Sequence, residues 1–325
     1  MTDARTLAAG REPRPERFGS APARYFAATR PAFLTITLVG CLVGLAAAWR
    51  GGAGFDPLTA LVTIVFALVA HAGVNVVNDA CDAENGGDAI NTARLFPFTG
   101  GSRFIQNGVI GQPEMARFGA LLLLSVIPAG LWLAWQSGPG LIAIGMAGLA
   151  VGWAYSAPPL KLMCRGLGEG AIALGWLLVV VGSDYVQRGH FATLPAIAGL
   201  SFALLVAALL YINEFPDRAA DEAVGKRTLV VRLGVETARW GYLILAIVAY
   251  AWLVLQVGRG ALPQACAAAA MTLVLSFRAG RELLHHAAEP AGLGPAIRQT
   301  VLAAHAHGLI LAGALAFGRA GIFTG

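Results

Sequence analysis

The chain has 325 residues, 57% of them hydrophobic and 13% charged, with a formal net charge of +5 and a mean hydropathy of +0.67. A soluble domain carries about 25% charged residues, so the composition excludes an ordinary soluble fold and points to a membrane protein. Cys41, Cys81, Cys164 and Cys266 lie far apart with no CxxC pair, which leaves no pattern for a zinc site or a disulfide framework.

The N-terminal stretch MTDARTLAAGREPRPERFGSAPARYFAATR holds six arginines and no apolar run before Pro31, so it does not read as a cleavable signal. Residues 1–29 are expected to form a basic, mostly disordered cytoplasmic arm, and 30–325 the membrane domain. The basic charge lacks the aromatic and motif context of a nucleic-acid site, so no nucleic-acid partner is expected. Attraction to anionic lipid headgroups accounts for it more simply.

From residue 31 onward, apolar runs recur that suit a bilayer, which takes about 20 residues per helix. Nine are marked, at about 31–49, 57–79, 115–136, 138–155, 168–187, 193–215, 236–257, 261–277 and 297–318. They predict an all-α, polytopic bundle of nine transmembrane helices. The GxxxG pairs Gly40/Gly44 and Gly148/Gly152 would let helices pack closely. With the N-terminus inside, 19 of the 23 basic residues fall on the inner side, and only Arg50, Arg188, Arg259 and Arg319 fall outside. By the positive-inside rule this sets a cytoplasmic N-terminus in the cell (inner) membrane.

The second span ends in NVVNDACDAENGGD, residues 75–88. On a helix, Asn75, Asn78, Asp79 and Asp82 share one face, with His71 one turn deeper. Ionised carboxylates near hydrocarbon are costly, up to about 2.5–3.5 kcal/mol each at the centre of a spanning helix, and their mutual repulsion adds to this. A bound cation would relieve both. The sixth span ends in NEFPDRAADEAVGKRT, residues 213–228. Here Asp217 and Asp221 are again i, i+4, and Asn213 stands one turn earlier. Pro216 removes a backbone donor, so the span is expected to kink or stop there, with Asp217 opening a new short helix.

Both clusters fall on the same predicted side and can face one cytoplasmic cavity. Two sets of hard oxygen ligands suit Mg²⁺, which uses one or two carboxylates and takes its other ligands from water and substrate phosphates. Lys226 and Arg227 would grip the phosphate oxygens. The FTGGSR turn, residues 98–103, could bring Arg94 or Arg103 to the same place. A diphosphate with a lipid tail is the natural guest of such a clamp beside an apolar cavity.

These motifs resemble the UbiA-type intramembrane prenyltransferase superfamily. NDACDAENGGD (78–88) and DRAAD (217–221) resemble its two aspartate-rich motifs, and YSAPPLKL (155–162) the segment between them. RLFPFTGGSRFIQNGVI (94–110) and GKRTLVVRLG (225–234) are most similar to the branch that prenylates 1,4-dihydroxy-2-naphthoate in menaquinone synthesis. The resemblance implies Mg²⁺ dependence, a polyprenyl diphosphate donor and an aromatic acceptor at the membrane. It implies Asn78, Asp82 and Asp88 as first-motif ligands beside Asp79. Asp217 and Asp221 would form the second pair, and Asp82, Asp217 and Asp221 would carry catalysis. Lys161, Lys226 and Arg227 would meet the diphosphate, and Tyr155 lies within the matched segment. Gly86 stands where many relatives carry a third aspartate, with Asp88 displaced by two. Two rival readings stay open: another acceptor (4-hydroxybenzoate, homogentisate or a tetrapyrrole), and a cation-coupled transporter, since intramembrane carboxylates also mark ion paths.

Overall fold

The structure, a computed structural model, describes residues 12–318. Arg5, Arg11 and Arg319, counted in the charge asymmetry, and residues 1–11 of the expected arm lie outside the described residues.

Proline at the first or second helical position, where a backbone N–H would have no partner anyway, opens the first three of the long helices. These are α2 (Pro31–Arg50), α3 (Pro57–Asn85) and, at its second residue, α5 (Gln112–Ser137), preceded by the short helices α1 (Ala21–Ala28) and α4 (Gly87–Ile90). The Asp56 carboxylate caps α3 by accepting from the Leu58 and Thr59 amides at 3.1 and 3.4 Å. At its far end Gly86, with φ of +81°, turns the chain into α4. The bundle continues with α6 (Gly140–Ser156), α7 (Gly168–Arg188), α8 (Thr193–Ala223), the short α9 (Leu229–Leu233) and α10 (Val235–Ala238), α11 (Gly241–Gly258), α12 (Leu273–His286) and α13 (Gly294–Phe317).

Among the described residues, seven helices are long and apolar enough to cross a membrane. Two of the nine expected spans take other forms. The fourth is α6, an apolar helix of 17 residues, and the eighth is the 3-10 stretch Gln264–Thr272 running into α12.

Helices α2 and α8 are the most buried spans, and α2 lies against α3, α7, α8 and α13. Gly44 makes the α2–α7 contact possible, since a Cβ there would stand 2.2 Å from the Val180 carbonyl oxygen. The second glycine pair divides: a Cβ on Gly152 would stand 2.8 Å from Val74 Cγ2 of α3, whereas one on Gly148 would meet nothing within 4 Å, so α6 packs closely on α3 at Gly152 and opens onto a groove at Gly148. The expected break at Pro216 is also absent. Helix α8 runs unbroken through it for 31 residues, with Phe215, Pro216 and Glu214 buried. In an apolar bundle, packing on both sides holds a proline-containing helix together.

Residues 12–29, expected to belong to a disordered arm, include a 3-10 turn at Pro15–Arg17 and helix α1. Phe18 stacks on Phe104 at a centroid distance of 5.4 Å, and Glu12 is buried. Apolar and ionic contacts to the 91–107 loop order this stretch.

Candidate active site

The C-terminal ends of α3 and α8 converge on a cavity of about 320 Å³. Asn78, Asp82 and Asp88 reach it from the first motif, and Asn213, Asp217 and Asp221 from the second. The two clusters, over 120 residues apart in sequence, therefore share one chamber.

Lys226 closes the gap between them. Its Nζ stands 3.4 Å from Asp82 Oδ1 and 3.4 Å from Asp221 Oδ1. Burial works against the Lys226 charge, but the carboxylates of Asp82 and Asp221 outweigh it and hold its pKa well above the ordinary lysine value. Asp82 also accepts from Asn78 Nδ2 at 3.2 Å and Asn85 Nδ2 at 3.0 Å. Asn78 reaches Ser156 Oγ at 3.0 Å as well.

The 91–107 loop lies over the chamber and ties its backbone to the carboxylates. Asp217 accepts from Asn91 Nδ2 at 2.6 Å and from the Gly100 amide at 3.3 Å. Asp79 accepts from the Ser102 amide at 3.1 Å. Gly101 is required here twice over. Its φ is +71°, and a Cβ would stand 2.1 Å from Asp88 Oδ2 and 3.2 Å from Asp79 Oδ1. Burial, reinforced by Asp82, Asp79 and Asp217, pushes Asp88 up to about 8.

The expected phosphate-binding residues divide. Lys226 and Tyr155 line the chamber; Arg94, Arg103, Lys161 and Arg227 do not. Arg94 and Arg103 turn outward to Glu12, with Arg94 Nε donating to Glu12 Oε1 at 2.8 Å. Arg227 is exposed, its amide bonded to the Cys164 carbonyl at 3.0 Å. Lys161 sits at φ +44° in the turn before the 3-10 helix Leu162–Arg165. Asp79 also lies off the chamber wall, with Oδ1 bonded to the loop and Oδ2 buried without a hydrogen-bond partner. Arg30, His305 and Thr99 are among the other residues that line the wall. Arg30 donates to the Pro97 carbonyl at 3.4 Å, His305 pairs with Thr35 Oγ1 at 2.9 Å, and Thr99 belongs to the covering loop. Arg30 has a local signal, a cation directly before the proline that opens a span; His305 has none.

The residues present fit a magnesium–diphosphate guest. Four carboxylates face the chamber against two cations, Lys226 and Arg30. The oxygens Asp88 Oδ2 and Asn213 Oδ1 are buried without a hydrogen-bond partner. No group of three His, Cys, Asp or Glu side chains that could hold a metal by itself is found among the described residues.

Beside the chamber runs a second cavity of about 320 Å³, apolar and walled by α3, α5, α6 and α7. His71, Val74, Tyr155, Ile172 and Trp176 line both spaces. His71 is fixed at this partition by Thr37 Oγ1 at 2.8 Å and by an edge contact to the Trp176 ring at 5.0 Å.

Comparison with known proteins agrees with this architecture. The chain is 32% identical to 1,4-dihydroxy-2-naphthoate octaprenyltransferase of Escherichia coli over 218 residues, 65% of this chain and 68% of that protein. It is 31% identical to the protein of the same name from Mycobacterium tuberculosis over 310 residues, 91% of this chain and 98% of that one. Among solved structures, a UbiA homologue from Aeropyrum pernix K1 superposes with a TM-score of 0.64 at 16% identity, covering 84% of this chain and 96% of that one. A homologue from Archaeoglobus fulgidus, solved with DMAPP and Mg²⁺, gives 0.56 at 15% identity over 89% and 99%. Residues 37–290 match the UbiA prenyltransferase family, and the chain belongs to that family of multi-pass membrane prenyltransferases.

Proposed function

We propose that this chain transfers a polyprenyl group from polyprenyl diphosphate to 1,4-dihydroxy-2-naphthoate, with Mg²⁺, as a step of menaquinone-type biosynthesis. The observation that carries this reading is the chamber itself: Asp82, Asp88, Asp217 and Asp221 around Lys226, joined by a shared wall to an apolar groove. The names of the relatives favour the naphthoate acceptor over 4-hydroxybenzoate, homogentisate or a tetrapyrrole.

Asp82, Asp88, Asp217 and Asp221 would hold Mg²⁺, helped by the amide oxygens of Asn78 and Asn213. Bound there, the ion supplies positive charge where the leaving diphosphate gains negative charge. Lys226 and Arg30 serve the same end as fixed cations that need no reorganisation. The allylic C–O bond breaks with its electron pair going to the diphosphate, and the electron-rich ring captures the allylic cation. The covering loop and the apolar groove keep water from that cation, and the groove receives the tail. Residues 1–29 would be a basic arm and 30–325 the transferase domain, with the chamber facing the cytoplasm at the inner membrane.

The test is product mass spectrometry on the purified protein in lipid, with mixed prenyl diphosphates and aromatic acceptors, with and without chelator. A prenylated naphthoate product that vanishes on chelation supports the reading. Cation-coupled uptake into liposomes with no prenylated product would replace it with the transporter reading.

A further inference from the structure

Glu12 lies far in sequence from either aspartate motif, yet it is only 6% exposed. Its Oε1 accepts from Arg94 Nε at 2.8 Å and stands 2.8 Å from the Arg94 terminal nitrogen Nη2. Its Oε2 accepts from Asn107 Nδ2 at 3.2 Å and stands 3.8 Å from Arg103 Nε. The Pro13 carbonyl takes a second bond from Asn107 at 2.9 Å, and Arg17 closes the turn onto the Glu12 carbonyl at 3.0 Å.

All three partners, Arg94, Arg103 and Asn107, belong to the loop whose inner side is tied to Asp217 through Asn91 and Gly100 and to Asp79 through Ser102. Arg94 also donates to the Asn91 carbonyl at 2.7 Å, and Arg103 to the Asp88 carbonyl. The loop is thus held between motif carboxylates on one side and a single carboxylate from the N-terminal segment on the other. Burial and the neighbouring Arg94 both push the Arg103 pKa down, against Glu12 and Asp88. Without Glu12, two adjacent guanidiniums would lose their shared counter-charge.

Given the transferase reading, we propose that Glu12 is a positioning residue for prenyl transfer: from outside the chamber it holds the 91–107 loop down on the motif carboxylates and so keeps water from the allylic cation. When the loop lifts, water competes with the acceptor ring. The C–O bond still breaks with its pair leaving on diphosphate. A water oxygen then bonds to the allylic carbon and its proton passes to solvent, which gives a prenyl alcohol in place of the prenylated ring.

The experiment uses the full chain in lipid nanodiscs with polyprenyl diphosphate, Mg²⁺ and 1,4-dihydroxy-2-naphthoate in ¹⁸O-labelled water. It compares wild type with Glu12→Ala, Glu12→Gln and Asn107→Ala, and with the conservative variant Glu12→Asp. The ratio of ¹⁸O-prenyl alcohol to prenylated product should rise about tenfold in Glu12→Ala, the scale of one lost hydrogen bond to a charged group. It should rise less in the other two and fall back toward wild type in Glu12→Asp, with total diphosphate release little changed. A merely structural role would lower both products together. An unchanged ratio in Glu12→Gln and Asn107→Ala, both active, overturns the proposal even where Glu12→Ala fails to fold. If wild type makes no prenylated product from any aromatic acceptor, the transferase reading itself fails.

Discussion

Replacing Gly101 with alanine adds one methyl group at the point where the covering loop meets the motif carboxylates. Two penalties follow. The backbone sits at φ +71°, and a residue with a Cβ pays about 1–2 kcal/mol in left-handed geometry. The new Cβ would also stand 2.1 Å from Asp88 Oδ2 and 2.9 Å from its Cγ, so either the Asp88 carboxylate or the loop must move. Gly108 provides the control. It has φ +68° in the same connection, and a Cβ there meets nothing within 4 Å. Gly108→Ala therefore carries the strain alone, and the difference between the two variants isolates displacement of Asp88. Disturbing the support of a metal ligand changes affinity by about 10- to 100-fold. Gly101→Ala should thus raise the Mg²⁺ concentration for half-maximal prenyl transfer by that factor, while Gly108→Ala leaves it near wild type. Both should lose thermal stability in detergent, Gly101→Ala by more because it carries the clash with Asp88 as well as the strain. Equal magnesium requirements in the two variants would refute the placement of Asp88 at the ion.

Three other outcomes follow from the same geometry. Asp217→Ala should abolish prenyl transfer while the protein still inserts into membranes; near-full turnover with Mg²⁺ present would remove Asp217 from the site. Lys226→Met leaves Asp82 and Asp221 facing each other without their shared cation, and breaking a buried ion pair typically costs about 3–5 kcal/mol. It should lower the melting temperature and raise the apparent KM for diphosphate, with added Mg²⁺ recovering part of the stability in a thermal-shift assay. Gly148→Phe should fill the apolar groove and shift the products of a mixed-donor assay toward shorter tails, read by mass spectrometry; an unchanged length profile would place the tail elsewhere.

The nine apolar runs and the two aspartate clusters are legible in the sequence because both are local patterns. Span length and i, i+4 spacing need no knowledge of the partner helix. What the sequence hides is set by contacts distant along the chain. Arg94 and Arg103 look like phosphate ligands beside a glycine turn, but Glu12 engages them from outside. Asp79 shares its helix face with Asp82, yet the Ser102 amide draws it to the loop. Pro216 carries a true local signal for a break, and burial of its neighbours overrides it. Gly148 and Gly152 have the spacing of a helix seam, but only Gly152 meets a neighbour, Val74 of α3, and no neighbouring helix fills the space at Gly148. Gly86 in place of a third aspartate becomes intelligible once its positive φ is seen to swing Asp88 back over the chamber.

Helix α8 links the bilayer to the chemistry mechanically. Its 31 residues extend about 46 Å at 1.5 Å per residue, against a hydrocarbon thickness of about 30 Å. Because the helix continues through Pro216, the excess length bearing Asp217 and Asp221 forms one continuous helical rod with the part immersed in lipid. A thinner or thicker bilayer that tilts this rod shifts both aspartates relative to Asp82 on α3, so the length of the surrounding acyl chains becomes a dial on turnover.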